Sequence, residues 1–370
     1  MSDVPSPAAL GFVPDPPIRC RDFRIGCIGA GFIMADVHLA AYAEAGFPVV
    51  AIASRTPAKA AAVAQRWGIP HTHPTPQALI EDPEVEILDL AFPPDQQPEL
   101  IRHALQQKHI RAILAQKPLA MDFEASRQVV AAAEAAGKIL SVNQNMRYDQ
   151  SMRVLRQILD RGALGQPVIA TIEMRAIPHW QEFLRGYGRL TLLNMAIHHL
   201  DVLRFLLGDP SEITTQARPD PRTQFPHTDG ITVSTLKFPS GALAVSLEDV
   251  WSGPREAGFQ SDITIKWRLE GTDGVAQGTI GWPDYPNGSP STLRYASRSA
   301  TGGDWVEPRW ETMWFPHAFR GVMEQLQYAL KTGTPPALSG ADNLRTMALV
   351  EAGYRSIAEG RTVRLAEFGF

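Results

Sequence analysis

The feature that most constrains this chain is an alternation. Between Phe23 and Val142, short β-rich runs take turns with Ala-rich helical stretches. Phe23–Ile28, Val49–Ser54, Val85–Phe92, Ile110–Ala115 and Ile139–Val142 read as strands, and 56–67, 97–107 and 123–136 as helices. Strand, helix, strand at this spacing predicts an α/β fold with a doubly wound parallel sheet. Ligands of such a sheet collect beyond the carboxyl ends of its strands.

After Tyr148 the texture changes. A helix at 152–160 ends near Gly162, and longer β-rich runs follow at 168–176, 231–238, 242–250 and 263–270. Gly/Pro turns such as FPSGA join them, which predicts antiparallel pairing. Two amphipathic helices, 317–330 and 341–358, close the chain. At 370 residues the chain exceeds one ordinary core. Residues 22–145 therefore predict a dinucleotide-binding domain, and 146–370 a second α+β domain with an antiparallel or mixed sheet and helices on one face. Residues 1–21 carry five prolines and read as an extended arm, either a loose tail or a strap across a neighbouring subunit.

Several classes are disfavoured. A net charge of -4 gives no electrostatic reason to bind nucleic acid or an anionic membrane. No apolar run is long enough to span a bilayer, and the N-terminus is a poor signal peptide, so the cytoplasm is the default location. Cys20 and Cys27 cannot form a disulfide framework.

RIGCIGAGFIMADVH puts Gly29 and Gly31 at a strand-to-helix turn, where backbone approaches a pyrophosphate and a helix N-terminus favours negative charge. Met34 stands where the third glycine of that fingerprint is expected. With Phe32 and Ile33, this turn is the expected cofactor cradle. Ser54-Arg55-Thr56 follows the second strand, where a carboxylate would hold the ribose of NAD; an Arg between two hydroxyls instead favours the 2′-phosphate of NADP. Those residues also suit a plain helix start, with Thr56 as N-cap and Pro57 at the first turn. Pro93, Pro94 and Gln97 after the third strand, and Gln116 with Lys117 after the fourth, complete the expected NAD(P) contacts.

LLNMAIHHLDVLRFLLG (192–208) reads as a helix apolar almost all round, yet it holds Asn194, two histidines and Asp201. At about 100° per residue, Asn194, His198 and Asp201 share one narrow stripe. Oxidising an alcohol needs a base near neutrality, which His198 offers, and a cation at the developing alkoxide, which Lys117 offers. His199 points away from that stripe, with a smaller claim on substrate. Asn143, Arg147, Tyr148, Trp180 and Arg189 are further candidate substrate contacts: Trp180 offers a flat aromatic face, and Arg147 or Arg189 a grip for an acid group. No acid or further ligand completes a metal site from His198-His199 or His71-Thr-His73, so no metal is expected.

Together, the GxG turn, the Lys-Pro after the fourth strand and the His-x-x-Asp helix resemble the glucose–fructose oxidoreductase / inositol dehydrogenase / MocA family. The resemblance runs from about Phe23 to Leu365 and includes ALVEAGYRSIAEGRTV near the end. It implies a Rossmann domain, then a domain whose large open, mostly antiparallel sheet commonly mediates oligomerisation into dimers or tetramers. It also implies NAD(P)-dependent oxidation or reduction of sugars, polyols or sugar acids, with Lys117 and His198 as the catalytic pair. This chain departs at Gln116, where the family often has Glu, at Gln97, where a His is common, and at Asn194, where the family has Asp. Asn can orient a hydroxyl but cannot ionise. Two alternatives stay open: a redox-neutral lyase, epimerase or glycosidase using tightly bound NAD, and a non-catalytic nucleotide or sugar sensor.

Overall fold

The computed structural model describes residues 6–176, 182–223, 225–250, 263–281 and 288–370. Two compact units emerge. The first comprises 16–145 and 316–347; the second comprises the described parts of 6–15, 146–315 and 348–370.

Six parallel strands form the first unit's sheet: β1 (Ile25–Ile28), β2 (Val49–Ala53), β3 (His71–His73), β4 (Ile87–Leu90), β5 (Ala112–Ala115) and β6 (Ile139–Val142). Their order is β3-β2-β1-β4-β5-β6, the doubly wound arrangement whose strand order reverses beside β1. Every residue of β1, β4 and β5 is buried, as expected for strands covered by helices on both faces. The helices are α1 (Leu39–Ala45), α2 (Pro57–Trp67), α3 (Pro76–Ile80), α4 (Gln97–Gln106) and α5 (Phe123–Ala135). β3 and α3 escape the sequence reading because one is three residues of polar HTH and the other a single turn and a half.

The second unit is built on eight strands: β7 (Pro167–Ala176), β8 (Glu212–Arg218), β9 (Ile231–Lys237), β10 (Leu243–Val250), β11 (Thr264–Gly271), β12 (Gly274–Ile280), β13 (Thr292–Ser297) and β14 (Val363–Arg364). They lie in the order β13-β12-β11-β7-β10-β9-β8-β14. Among the described residues, only β7 and β10 of this sheet pair in parallel. Burial alternates residue by residue along β9 and most of β11, the signature of a sheet with one covered face. Helices α6 (Gln150–Asp160) and α7 (Ile197–Leu207) belong to this unit.

Three expectations are corrected. First, the chain end does not all join the second unit: α8 (Ala318–Thr332) folds onto the first. Its buried polar residues stitch it there. Gln327 trades two hydrogen bonds with the backbone of Phe23, at 3.0 and 2.7 Å, and Glu324 pairs with Arg19 at 2.8 Å. The last helix, α9 (Gly340–Glu359), runs from one unit into the other.

Second, residues 6–15 are no loose tail. Val13 exchanges hydrogen bonds with the Gln157 amide (2.9 and 3.0 Å), Arg153 donates to the Pro14 carbonyl (2.8 Å), and Asp15 accepts from Gln150 and Thr312. Phe12, 4% exposed, packs edge-on against Tyr295. The arm is strapped to α6 of its own chain.

Third, 192–208 is not one continuous α-helix. Leu192–Ala196 winds as a π-helix before α7 begins. The Asp229 carboxylate accepts from the amides of Leu190 and Leu192, at 2.7 and 2.8 Å, so a side chain from outside satisfies donors that a helix start leaves bare.

Candidate active site

In the first unit, β1 leads into Gly29-Ala30-Gly31. Gly29 has φ +124°, and a Cβ there would come within 2.6 Å of the Ala91 carbonyl oxygen, so only glycine fits. Gly31 differs: a Cβ would meet nothing within 4 Å. Its missing side chain leaves open backbone at the start of a helical segment, which suits an approaching pyrophosphate. Phe32 and Ile33 are partly exposed beside it, and Met34 is fully buried inside a π turn, Ile33–His38. These residues fit a dinucleotide.

At the end of β2, Ser54 is buried while Arg55 and Thr56 are exposed. Arg55 donates to the Gln96 side chain at 3.3 Å and lies over the Phe92 ring at 5.3 Å. Thr56 occupies the N-cap of α2 with Pro57 behind it, but its side chain makes no capping bond.

The turn after β5 carries Lys117, and it is held tightly. Gln97 is fully buried. Its amide nitrogen donates to the carbonyls of Gln116, Pro118 and Leu119 (2.8, 3.3 and 3.0 Å), and its oxygen accepts from Gln116 N at 2.8 Å. Expected at the cofactor, Gln97 instead shapes the lysine turn. Pro93-Pro94 opens the preceding turn, where Pro93 O accepts from the amides of Gln96 and Gln97. Gln116 accepts from the Lys117 amide at 2.9 Å. Burial pulls the Lys117 ammonium down to about 7, because desolvation disfavours the charged form.

In the second unit, Asn194 lies in the π segment, 8% exposed, and His198 in α7, 4% exposed. The His198 ring meets Trp314 edge-on, with centroids 5.8 Å apart. Asp201, the third polar residue of the stripe, has a different task. Both its oxygens accept from Arg147 at 2.6 Å, and Arg204 lies 3.7 Å away.

Three residues expected at the substrate are engaged by partners within the protein. Arg147 commits its guanidinium fork to Asp201. His199 is fully buried and bonds Glu248 of β10 at 2.7 Å. Asn143 is fully buried with its amide nitrogen 3.1 Å from His38. Tyr148 is nearly buried under Arg153, whereas Arg189 stays partly exposed while pairing with Glu351 at 3.2 Å. Trp180 lies outside the described residues. The sequence reading missed His38 and Asp89, both fully buried. A carboxylate inside the otherwise apolar run 87–92 was the available signal.

Comparison with known proteins supplies the family. Residues 23–144 match the description "Oxidoreductase family, NAD-binding Rossmann fold", and residues 152–277 match "GFO/IDH/MocA C-terminal domain". The chain belongs to the Gfo/Idh/MocA oxidoreductase family. Among relatives of this family member is D-apiose dehydrogenase from Rhizobium rhizogenes, 28% identical across 94% of this chain and 98% of that protein. Inositol 2-dehydrogenase from Rhizobium meliloti is also 28% identical, across 93% and 99%. An oxidoreductase from Agrobacterium radiobacter, solved with NAD+, L-tartaric acid and magnesium, shares the fold with a TM-score of 0.78 at 24% identity over 94% and 99% of the chains. Among the described residues, no helix is long and apolar enough to cross a membrane.

Proposed function

We propose that this Gfo/Idh/MocA member is an NAD(P)-dependent dehydrogenase acting on a CH–OH group of a sugar, polyol or sugar acid. The observation that carries the reading is Lys117: a lysine at the carboxyl edge of the sheet, on a turn braced by Gln97 and Gln116, with its ammonium titrating near 7. The names of the curated relatives support the substrate class. When bound, the nicotinamide supplies the hydride acceptor or donor. Gly29, Gly31, Phe32 and Ile33 hold the pyrophosphate side of the dinucleotide. Arg55 selects NADP through the 2′-phosphate. His198 takes the hydroxyl proton as general base, Lys117 neutralises charge growing on that oxygen, and Asn194 orients the hydroxyl.

A second copy of the chain covers the outward face of the eight-stranded sheet. Val233 and Leu243 are 39% and 50% exposed there, with Leu247 and Ile169 as their cross-strand neighbours. Leu243→Asp is expected to shift the protein toward monomer in sedimentation, with the melting temperature little changed; an unchanged oligomer removes this part of the reading.

The function test is a melting-temperature screen with NAD, NADH, NADP and NADPH, since ligands that bind the native state raise it. A sugar and polyol panel then follows with the stabilising cofactor. Net nicotinamide reduction by a polyol or sugar supports the dehydrogenase. Product formation without net reduction establishes the redox-neutral alternative, and tight binding without turnover the sensor.

A further inference from the structure

Beneath the lysine turn of the first unit lies a buried polar chain. His38 is fully buried. Its Nδ1 is 2.8 Å from Asp89 Oδ2, and the same carboxylate oxygen accepts from the Tyr42 hydroxyl at 2.7 Å. The other ring nitrogen, Nε2, faces two side-chain amide nitrogens: Asn143 at 3.1 Å and Gln116 at 3.5 Å.

The Gln116 amide is oriented by a group that cannot switch. Its oxygen accepts from the backbone N–H of Lys117 at 2.9 Å, and a backbone amide only donates. The Gln116 nitrogen must therefore be the end that meets His38, and it arrives as a donor. A protonated Nε2 would set donor against donor. Nε2 consequently carries a lone pair, the ring proton sits on Nδ1 toward Asp89, and Asn143 also donates.

We infer that His38 is a positioning residue for the lysine turn, held by Asp89 as the neutral tautomer protonated on Nδ1. Its lone pair sets the rotamer of Gln116, and Gln116 sets the backbone at Lys117. The inference rests on the reading of Lys117 as a working residue, but the ring's protonation state is measurable without any turnover. It also gives Gln116 a physical role: a glutamate at 116 would still accept from Lys117 N while presenting an oxygen, not a donor, to His38.

The test uses the full chain labelled with ¹⁵N-histidine. Ring nitrogen correlations at neutral pH are assigned by the resonance that moves in Gln116→Glu. Wild-type His38 is expected to show a protonated Nδ1 and an unprotonated Nε2. A proton on Nε2, as the other tautomer or as an imidazolium, overturns the inference. In Gln116→Glu, His38 is expected to become doubly protonated, because the new carboxylate recruits a proton to Nε2. If no ring resonance responds to that substitution, the coupling between 116 and 38 is refuted. Where a substrate turns over, kcat of Gln116→Glu is expected to fall about tenfold or more through misplacement of Lys117, with KM within about threefold. Unchanged kcat with a changed His38 protonation state refutes positioning while leaving the tautomer assignment intact. Failure to find any turnover counts against the proposed dehydrogenase and not against the ring assignment.

Discussion

Around Lys117, in the nucleotide-binding unit, buried polar work is done largely by neutral amides: Gln97 on three carbonyls, Gln116 on the next amide, Asn143 on a histidine. Around His198, in the second unit, it is done by ionisable side chains in pairs: Arg147 with Asp201, and His199 with Glu248. The difference is physical. Amides are directional and cheap to bury, each net bond contributing about 0.5–1.5 kcal/mol, so they define the shape of a turn. A buried ion pair contributes little over an apolar substitute but is costly to break, because the survivor is a stranded charge. One unit uses polarity to aim a residue; the other uses it to fix a helix.

The largest expected effect probes the second half of that contrast. Asp201→Ala removes the carboxylate that holds both arms of the buried Arg147 guanidinium at 2.6 Å and should destabilise by roughly 3–5 kcal/mol in denaturant unfolding. A loss below about 1 kcal/mol would mean the pair behaves like a surface contact and would break the comparison.

Asp149 sharpens it. This fully buried N-cap of α6 accepts from the Ser151 and Met152 amides and from Ser291, and burial raises its carboxyl to about 6. The folded state then holds the proton more tightly than the unfolded chain. Its contribution is therefore most favourable below about pH 4 and declines as pH rises through 6, by about 3 kcal/mol. Asp149→Asn should flatten that part of the stability–pH curve; an identical slope in both proteins removes the assignment.

Arg55 has the smallest expected effect, as an exposed cation. Arg55→Ala should weaken NADPH about tenfold, roughly 1.4 kcal/mol, and leave NADH nearly unchanged in calorimetry. Equal losses for both would make Arg55 a general cofactor contact with no say in the 2′-phosphate.

Legibility differed between the units in the same way. The parallel sheet was readable because strands buried on both faces give continuous apolar runs, and the Gly29 turn and the Lys117 strand end follow from that register. The roles of Arg147, Asp201 and His199 were not, because a charged residue on an apolar helix reads alike whether it meets a ligand or a partner distant in sequence. In the sequence Asp201 is one more polar residue on the His198 stripe, and its partner Arg147 lies 54 residues away. The return of α8 to the first unit was hidden for the same reason: Gln327 reaches a backbone 304 residues earlier.

In the proposed function, Lys117 and His198 carry the chemistry on a bound nicotinamide scaffold. Its most direct test is the turnover of Lys117→Ala and His198→Ala, followed by nicotinamide absorbance with the cofactor and substrate found in the screen, alongside cofactor affinity. Each variant should lose about a hundredfold or more in kcat while its affinity for the nucleotide stays near that of the wild type. Near-wild-type turnover in either variant would contradict the claim.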